Sequence, residues 1–507
     1  MLAKCLSSAL LGIDAVVIEV EVDVIGGLPK WTMVGLPDQA AKESYPRVKA
    51  AMINSGYRFP SRQIVVNLAP ADLKKEGTTL DLPLAIGLLV GAGDIEPDCV
   101  ADTMFLGELA LDGRLRPVNG VLPTALCAKA NGIRRLIVPA ENAQEGSVVN
   151  GIDVYGAETL QQVVGLTTGV TPFEPTRNDL DDLFNVESQE LLDYGDVRGQ
   201  EHVKRALVVA AAGGHNVLMI GPPGSGKSML AKRLPSILPP MTLVEALETT
   251  KVHSVAGLLS GGVCLVARRP FRSPHHTVSF PGLVGGGTTP APGEISLSHN
   301  GVLFLDEFPE FSRKAREALR QPLEDRTITI ARIAGTATYP ANIMLVAAMN
   351  PTPSGSVKAS DAGYYEMSKY LERISGPLLD RIDIHVEVPA IDYEELTDGR
   401  KGTPSSAMRE TVVSARRLQS QRYAGTPTVS NATMSEAQFE TYCKTTADAS
   451  AILKEAVNEM GLSARGYTRV LKVARTIADI AGADVIDLPH IAEAIQYRSM
   501  DNAFSSR

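Results

Sequence analysis

An eight-residue glycine-rich segment, Gly-Pro-Pro-Gly-Ser-Gly-Lys-Ser at 221–228, sets the first constraint on how this chain can fold. The apolar run NVLMI precedes it and predicts a buried strand, and the run SMLAKRLPSI that overlaps its end predicts a helix. Glycines let backbone N–H groups turn inward around phosphates, and the helix presents its positive N-terminal end to them. Strand, loop and helix in this order predict a phosphate-binding loop in an α/β domain.

The side chains of this loop have distinct predicted roles. Lys227 would reach the β- and γ-phosphates of a nucleotide, and the Ser228 hydroxyl would bind Mg²⁺. ATP and Mg²⁺ are therefore the predicted ligands. The residues predicted to bind the nucleotide in this loop are Gly221, Pro222, Pro223, Gly224, Ser225, Gly226, Lys227 and Ser228.

Two further apolar runs end in polar side chains. The run at 301–305 is followed by Asp306, which would hold Mg²⁺, and by Glu307, which would orient and activate the attacking water. The run at 343–349 is followed by Asn350, which could hold that water near the γ-phosphate. Polar side chains at the carboxyl ends of parallel strands lie in the crevice where ligands bind, so we predict one site built from three strands.

Arg381, in the segment SGPLLDRID, is a candidate arginine finger for the ATP of a neighbouring subunit. The spacing alone supports a structural salt bridge with Asp380 or Asp383 equally well.

Composition and charge limit the classes of protein to which this chain can belong. The chain has 507 residues, enough for two or three domains, and its 44% hydrophobic and 21% charged residues exclude a wholly disordered chain. The formal charge of −9 is uneven: −5 over 1–170, −7 over 171–196 and +3 over 197–507. The total counts against nucleic acid as a partner, but the positive balance around the phosphate loop weakens that objection.

The proline residues and the acid excess of 171–196 are typical of an interdomain linker. We predict a compact α+β or α/β domain over 1–170, the acidic linker over 171–196, an ATPase core over 197–403 and a helical lid over 404–507.

The sequence also indicates where in the cell the protein is located. No stretch reaches eighteen uninterrupted apolar residues, which disfavours a transmembrane span, and the N-terminal residues continue into strand-like sequence without a cleavage pattern, which disfavours a signal peptide. The five cysteines are scattered without CxxC spacing, which favours a reducing compartment. We therefore predict a cytoplasmic protein with no membrane partner.

Four segments taken together resemble a known family. They are GPPGSGKS, FRSPHHTVSFPGLVGGGTTPAPGEISLSHNGVLFLDEFPEF, AAMNP and SGPLLDRID, and they resemble the magnesium-chelatase-like branch of the AAA+ ATPases. Within that branch the chain is similar to the YifB/ComM family. The resemblance covers essentially the whole chain, because NLAPADLKKEGTTLDLPLAIGLL and LGELALDGRLRPVNG resemble the Lon-protease-like domain of that family.

The resemblance implies an α/β fold with an AAA+ core, and an ATP hydrolase that forms a homo-oligomeric ring, a hexamer, with ATP at the subunit interfaces. It implies that Arg381 acts on the neighbouring subunit. The segment SARGYTRVL resembles the sensor-two segment, in which Arg469 is the preferred sensor and Arg465 the alternative. The residues implied to act within one subunit are Lys227, Ser228, Asp306, Glu307 and Asn350.

Two insertions bear on the partner. The segment 327–340 alternates like a β-hairpin with Gly335 near its turn, and in this branch such hairpins project into a central pore. The segment 271–293 contains adjacent His275 and His276, for which we favour a structural or DNA-contacting loop over a metal site because no third ligand is evident. The arginines predicted to contact DNA phosphates, which position a protein without reading sequence, are Arg268, Arg269, Arg272 and Arg332.

Two departures from the family pattern change what we expect. Many relatives carry cysteines after the sensor asparagine, but this chain has none there through Leu371, so no zinc site is predicted. The Lon-like domain has Thr79 in the nucleophile region without a matching lysine base, and Lys74 and Lys75 are interpreted as exposed lysines. We predict no peptidase activity.

The resemblance implies an ATP-driven DNA motor, a branch-migration helicase that acts on single-stranded or branched DNA in homologous recombination and natural transformation. Two alternatives stay open. One is a remodelling ATPase that acts on a protein partner, by analogy with magnesium chelatase, and the other is a regulatory scaffold whose Lon-like domain binds proteins.

Overall fold

The computed structural model describes residues 2–75, 77–172, 174–179, 184, 192–259, 263–287, 290–332, 335–352, 370, 373–390 and 402–498. The chain divides into two compact units. The first consists of Met1–Glu187 and Leu243–Ala267, and the second of Ser188–Thr242 and Arg268–Arg507.

The first unit contains a seven-stranded mixed sheet with the strand order β3-β4-β2-β1-β5-β8-β9. The two long strands β1 and β2 pair antiparallel, and β3 lies at one edge, parallel to β4. Two short strands, β6 and β7, form a separate antiparallel pair. The strands are β1 Leu2–Leu11, β2 Asp14–Ile25, β3 Lys30–Val34, β4 Gln63–Ala69, β5 Thr103–Phe105, β6 Glu108–Leu109, β7 Leu115–Arg116, β8 Arg135–Pro139 and β9 Asp153–Ala157.

Alternation and burial explain these elements. Strand β2 alternates buried valines with acidic side chains, which is the pattern of a sheet that faces a core on one side. The apolar third helix is buried along nearly its whole length and packs on β1 and β2. The helices of this unit are α1 Gln39–Lys42, α2 Ser44–Asn54, α3 Asp81–Ala92, α4 Val121–Ala130, α5 Ala143–Ser147, α6 Leu160–Thr167 and α9 Leu243–Val255.

Helix α9 lies within the stretch that the sequence assigns to the ATPase core, yet it packs with the first unit. Its Ser254 hydroxyl donates to the buried carboxylate of Glu145 at 2.5 Å, and Lys251 pairs with Asp14. Burial raises the pKa of Glu145, because desolvation penalises its charged form. The predicted domain bounds stay a prediction.

The two lysines near Thr79 differ in environment. Lys74 is exposed, as interpreted from the sequence, but Lys75 is fully buried and its ammonium donates to the carbonyl oxygen of Pro70. The exposed interpretation is therefore wrong for Lys75, because a backbone carbonyl satisfies its charge inside the fold. Burial lowers its pKa. The lack of peptidase activity stays a prediction.

The second unit is built on a five-stranded sheet with the order β11-β14-β17-β10-β18, and every pairing in it is parallel. All residues of β10, β14 and β17 are buried, as expected of strands covered on both faces. These five strands are β10 Val217–Ile220, β11 Phe271–Arg272, β14 Val302–Leu305, β17 Met344–Met349 and β18 Ile384–Glu387.

A hairpin occupies the segment in which the sequence predicts one. Strands β15 Thr327–Arg332 and β16 Gly335–Pro340 pair antiparallel, and Arg332 lies opposite Gly335. A shorter antiparallel pair is formed by β12 Gly285–Gly286 and β13 Ala291–Pro292.

Helices surround this sheet and dominate the C-terminal part of the unit. The helix Glu201–Gly213, α7, ends at the C-cap Gly214, which is left-handed with φ of 71°, a conformation that glycine adopts readily. The helices are α7 Glu201–Gly213, α8 Lys227–Arg233, α10 Phe280–Val284, α11 Glu294–Leu297, α12 Arg313–Ala318, α13 Arg320–Asp325, α14 Gly376–Leu379, α15 Ser405–Arg422, α16 Glu436–Tyr442, α17 Ala447–Met460, α18 Ala464–Ile480 and α19 Leu488–Gln496.

Some sequence predictions fall on other parts of the chain. Most of the linker after residue 179 and most of the region in which relatives carry cysteines, 353–369, lie outside the described residues. Among the helices in the described ranges, none combines the length and apolar character needed to cross a membrane.

Candidate functional site

The loop between β10 and α8 has the backbone that its glycines predict. Gly224 and Gly226 have φ values of 79° and 91°, a left-handed region that favours glycine. A Cβ on Gly221 would lie 2.1 Å from the carbonyl oxygen of Val388, so a side chain at that position would collide with backbone. The glycines therefore allow the backbone to turn in front of the N-terminus of α8, where backbone N–H groups can bind phosphate oxygens.

Lys227 is buried at the first position of α8 and is held by oxygen atoms. Its ammonium donates to the carbonyl oxygens of Gly221 at 2.7 Å and Pro222 at 2.8 Å, and to Oδ1 of Asn350 at 3.2 Å. Burial lowers the pKa of Lys227, while the nearby Asp306 opposes that shift. A cation poised among neutral acceptors can bind phosphate oxygens.

Ser228 and Asp306 meet at the same place. The Ser228 hydroxyl donates to Oδ2 of Asp306 at 2.5 Å, and Oδ1 of that carboxylate accepts the backbone N–H of Glu307 at 2.9 Å. A hydroxyl and a carboxylate are the hard oxygen donors that Mg²⁺ prefers. The donor set therefore fits Mg²⁺ beside a nucleotide phosphate.

The sheet order explains why these side chains converge. Strand β17 lies between β14 and β10, with Met349 opposite Ile220 and Ala347 opposite Leu305. Because all three strands are parallel, their carboxyl ends share one edge of the sheet. The structure thus brings together the loop, the acidic pair after β14 and Asn350, as the sequence predicts.

Glu307 has an unusual backbone and an unexpected partner. Its φ of 49° is left-handed, which is uncommon for a residue with a side chain, and its carboxylate is about half exposed. Oε2 of Glu307 lies 3.0 Å from Nδ1 of His276, whose ring lies 4.1 Å from that of His275. In the described residues no group of three metal-ligating side chains is found.

Sequence reasoning does not predict the contact between His276 and Glu307. A signal was present, since His276 follows strand β11, and β11 is the parallel neighbour of β14. Residues after two adjacent parallel strands are expected to meet.

Arg381 forms a salt bridge, but with neither nearby aspartate. Its guanidinium pairs with the carboxylate of Glu324 and donates to the carbonyl oxygen of Pro377 at 2.6 Å. Arg465 approaches the same carboxylate at 3.7 Å. Glu324 therefore contacts both the predicted arginine finger, Arg381, and the alternative sensor, Arg465. The pKa of Glu324 is lowered chiefly by its hydrogen bond with Arg381.

Arg469 is engaged by Asp383. Its guanidinium pairs with that buried carboxylate and donates to the carbonyl oxygen of Arg381 at 3.2 Å. Burial alone would raise the pKa of Asp383, but Arg469, His215 and the backbone N–H of Asn216 outweigh it and hold the pKa well below its usual range. In the described part of the chain, neither Arg381 nor Arg469 hydrogen-bonds to loop 221–228.

We expect Asp383→Asn to destabilise the second unit by about 3 kcal/mol at pH 7, because removing one member of a buried pair leaves its partner uncompensated. A folded-state pKa below the unfolded one contributes stability that is present above pH ~4 and is lost as pH falls through the folded pKa. Urea unfolding from pH 7 down to pH 3 should therefore show the difference from wild type shrinking with acidity.

The matched control is Asp380→Asn, three residues away in a half-buried position at the end of α14. It should change the free energy of unfolding by less than about 0.5 kcal/mol. Equal effects of the two substitutions, or a difference from wild type that does not depend on pH, would contradict the buried-pair account.

The four arginines predicted to contact DNA differ in how the fold uses them. Arg272 donates two hydrogen bonds of 2.7 Å to Glu294, and Arg269 donates to carbonyl oxygens, including that of Asn300 at 2.8 Å. Arg268 is half-buried, whereas Arg332 is exposed at the end of β15. Arg332 is thus the most accessible of the four.

Comparison with known proteins identifies the lineage of this fold. The family described as "Magnesium chelatase, subunit ChlI" matches residues 193–396. "Subunit ChlI of Mg-chelatase" matches 20–142, and "Magnesium chelatase, subunit ChlI C-terminal" matches 402–498.

Full-length relatives are also similar. Competence protein ComM of Haemophilus influenzae is 44% identical over 506 residues, which cover 98% of each chain. The uncharacterized protein YifB is 43% identical over 499 residues in Salmonella typhimurium and 42% over 497 in Escherichia coli, in each case 97% of this chain and 96% of that protein. Identity at this level over nearly the full length of both chains, together with the phosphate loop and its parallel sheet, shows that this chain belongs to the YifB/ComM family of magnesium-chelatase-like AAA+ ATPases.

Proposed function

We propose that this chain is a cytoplasmic, ring-forming DNA motor driven by ATP hydrolysis. Its proposed activity is that of a branch-migration helicase in homologous recombination and natural transformation. The observation that carries the ATPase part is the convergence of Lys227, Ser228, Asp306 and Asn350 at the ends of three adjacent parallel strands. In this proposal a Lon-like domain precedes the motor, and helices after residue 404 form its lid.

In the proposed reaction, the chain's own groups position the phosphates and the water. Lys227 exchanges its carbonyl partners for β- and γ-phosphate oxygens. Ser228 and Asp306 would hold Mg²⁺, which would supply positive charge beside the phosphates. Glu307 accepts a proton from the attacking water, and Asn350 orients that water from the end of β17.

The two distal arginines complete the proposed ring mechanism. Arg469 senses the bound nucleotide within one subunit, and Arg381 acts on the ATP of the neighbouring subunit. For Arg381 to do so it must leave Glu324, its partner in the single chain. If Arg381 exchanged the Glu324 carboxylate for the γ-phosphate of the neighbouring ATP, assembly of the ring would be coupled to hydrolysis. The ring in this proposal is a hexamer.

Support for DNA as the partner comes from a relative and from the hairpin. A relative that is 44% identical is a competence protein by name. The β15–β16 hairpin carries the exposed Arg332, whereas Arg269 and Arg272 already have partners within the fold. A ring would bring several copies of Arg332 together and so concentrate positive charge that the sequence as a whole lacks.

We expect single-stranded or branched DNA to raise the ATP hydrolysis rate of the wild-type protein, and the protein to move a four-way or three-strand junction. Arg332→Ala should weaken DNA binding and lower the magnitude of the salt slope by about 1, because one phosphate contact is lost. The measurements are hydrolysis rates with and without DNA and a salt titration of affinity.

The control is Arg409→Ala, which removes an exposed arginine from α15 and should keep both the stimulation and the salt slope. Two outcomes would favour the alternatives. Hydrolysis stimulated by a protein partner and indifferent to DNA would indicate a remodelling ATPase, and protein binding that survives loss of hydrolysis would indicate a scaffold.

A further inference from the structure

A pocket of about 310 Å³ opens at the edge of the sheet in the first unit. It lies between edge strand β3, helix α2 and the segment that leads into β4. Its size is at the lower end of the range for ligand-binding clefts. The lining residues that matter here are Lys30, Trp31, Tyr45, Lys49, Phe59 and Arg62.

Three aromatic rings form one wall of this pocket. The centroids of Trp31 and Tyr45 are 5.1 Å apart, and those of Tyr45 and Phe59 are 5.7 Å apart in an edge-to-face arrangement. All three side chains are only half-buried, so part of each ring remains accessible. Rings fixed in this way offer surfaces on which flat ligands can stack at little cost in side-chain entropy.

The charged side chains that line the pocket are opposite in sign to the net charge of the surrounding sequence. Residues 1–170 carry a net charge of −5, yet every charged residue that lines the pocket is basic. Lys30, Lys49 and Arg62 are all exposed. The Lys49 ammonium lies over the rings of Tyr45 and Phe59, 5.7 Å and 5.8 Å from their centroids, so positive charge lies beside two of the three rings.

We propose that this pocket binds a segment of single-stranded DNA, with bases stacked against the three rings and phosphates held by Lys30, Lys49 and Arg62. Half-buried aromatic rings bordered by basic side chains are the combination by which proteins hold single strands without reading sequence. The inference rests on the proposed function only in its choice of DNA, since the pocket lies in the first unit and contains no residue of the nucleotide site.

The chain supplies its own reporter, because Trp31 is its only tryptophan. Titration of the full-length protein with a dT15 oligonucleotide, without ATP, should change the fluorescence of Trp31 and saturate. Lys49→Ala and Arg62→Ala should each weaken this binding and lower the magnitude of its salt slope by about 0.7, the value for one phosphate contact to a single strand. Both side chains are exposed, so neither substitution should disturb folding.

Three comparisons make the test specific. An abasic oligomer of the same length should bind about fivefold or more weakly, because stacking is removed while the phosphates stay. Lys129→Ala, which removes an exposed lysine of the first unit outside the pocket, should bind as wild type does. Lys227→Ala should also keep the Trp31 signal, so that a failure of ATP hydrolysis is distinguished from a failure of this site.

Each opposite result would overturn the proposal. A Trp31 signal that dT15 leaves unchanged would exclude a single strand from the pocket. Equal affinity for the abasic oligomer would indicate a general anion site, and a poly-glutamate or proline-rich peptide that saturates the signal where dT15 does not would indicate a protein partner.

Discussion

Lys227→Ala should lower ATP hydrolysis by at least about a hundredfold, the scale of losing one preorganised electrostatic contact to the reacting group. In the structure this ammonium is buried and donates to three oxygen atoms, from Gly221, Pro222 and Asn350. Burial lowers the pKa of Lys227, because its ammonium is partly desolvated. Phosphate oxygens would therefore pair with a cation that has already lost part of its hydration. The measurement is phosphate release at saturating ATP, together with the affinity for a fluorescent ATP analogue.

The matched control is Lys232→Ala, which removes an exposed lysine from the same helix, α8. It should hydrolyse ATP at nearly the wild-type rate. Thermal unfolding of both variants separates a chemical effect from a loss of folding. Hydrolysis by a well-folded Lys227→Ala protein within threefold of wild type would mean that loop 221–228 is not the working phosphate site.

The parts of this site that follow from sequence are those encoded locally. A glycine loop between a strand and a helix, and apolar runs ending in Asp306 or Asn350, fix backbone conformation within a few residues. A parallel sheet then places those strand ends together. The same local logic predicts the hairpin at 327–340, where alternation specifies two antiparallel strands.

The partners of the distal arginines could not be predicted in this way. Arg381 pairs with Glu324, 57 residues earlier, although Asp380 and Asp383 are far closer in sequence. Asp383 pairs instead with Arg469, 86 residues later. Which carboxylate meets which arginine depends on how α13, α14 and α18 pack, and spacing along the chain does not contain that information.

Burial of single polar residues is equally hard to predict. The sequence predicts that Lys75 is exposed, but the fold buries its side chain, and the Pro70 carbonyl oxygen accepts a hydrogen bond from its ammonium. Helix α9 follows the phosphate-loop helix in sequence, yet it packs with the first unit through Ser254 and Glu145. The Ser254–Glu145 contact joins residues 109 positions apart, so for α9 long-range packing overrides the local pattern.

Glu307→Gln should lower the rate of ATP hydrolysis by about a hundredfold to ten-thousandfold, the usual contribution of a general base, while ATP still binds. The amide keeps the size of the side chain but cannot accept a proton from water. Binding should survive because Lys227, Ser228 and Asp306 are unchanged. Single-turnover hydrolysis measures the chemical step, and a fluorescent ATP analogue measures binding.

Asp325→Asn is the control, since it makes the same acid-to-amide change at an exposed position at the end of α13 and should leave hydrolysis unchanged. His276→Ala provides the decisive comparison, because Nδ1 of His276 lies 3.0 Å from the Glu307 carboxylate. If Glu307 is the base and His276 positions it, His276→Ala should lose less activity than Glu307→Gln. If Glu307→Gln hydrolyses ATP normally while His276→Ala does not, the histidine must be the group that activates the water.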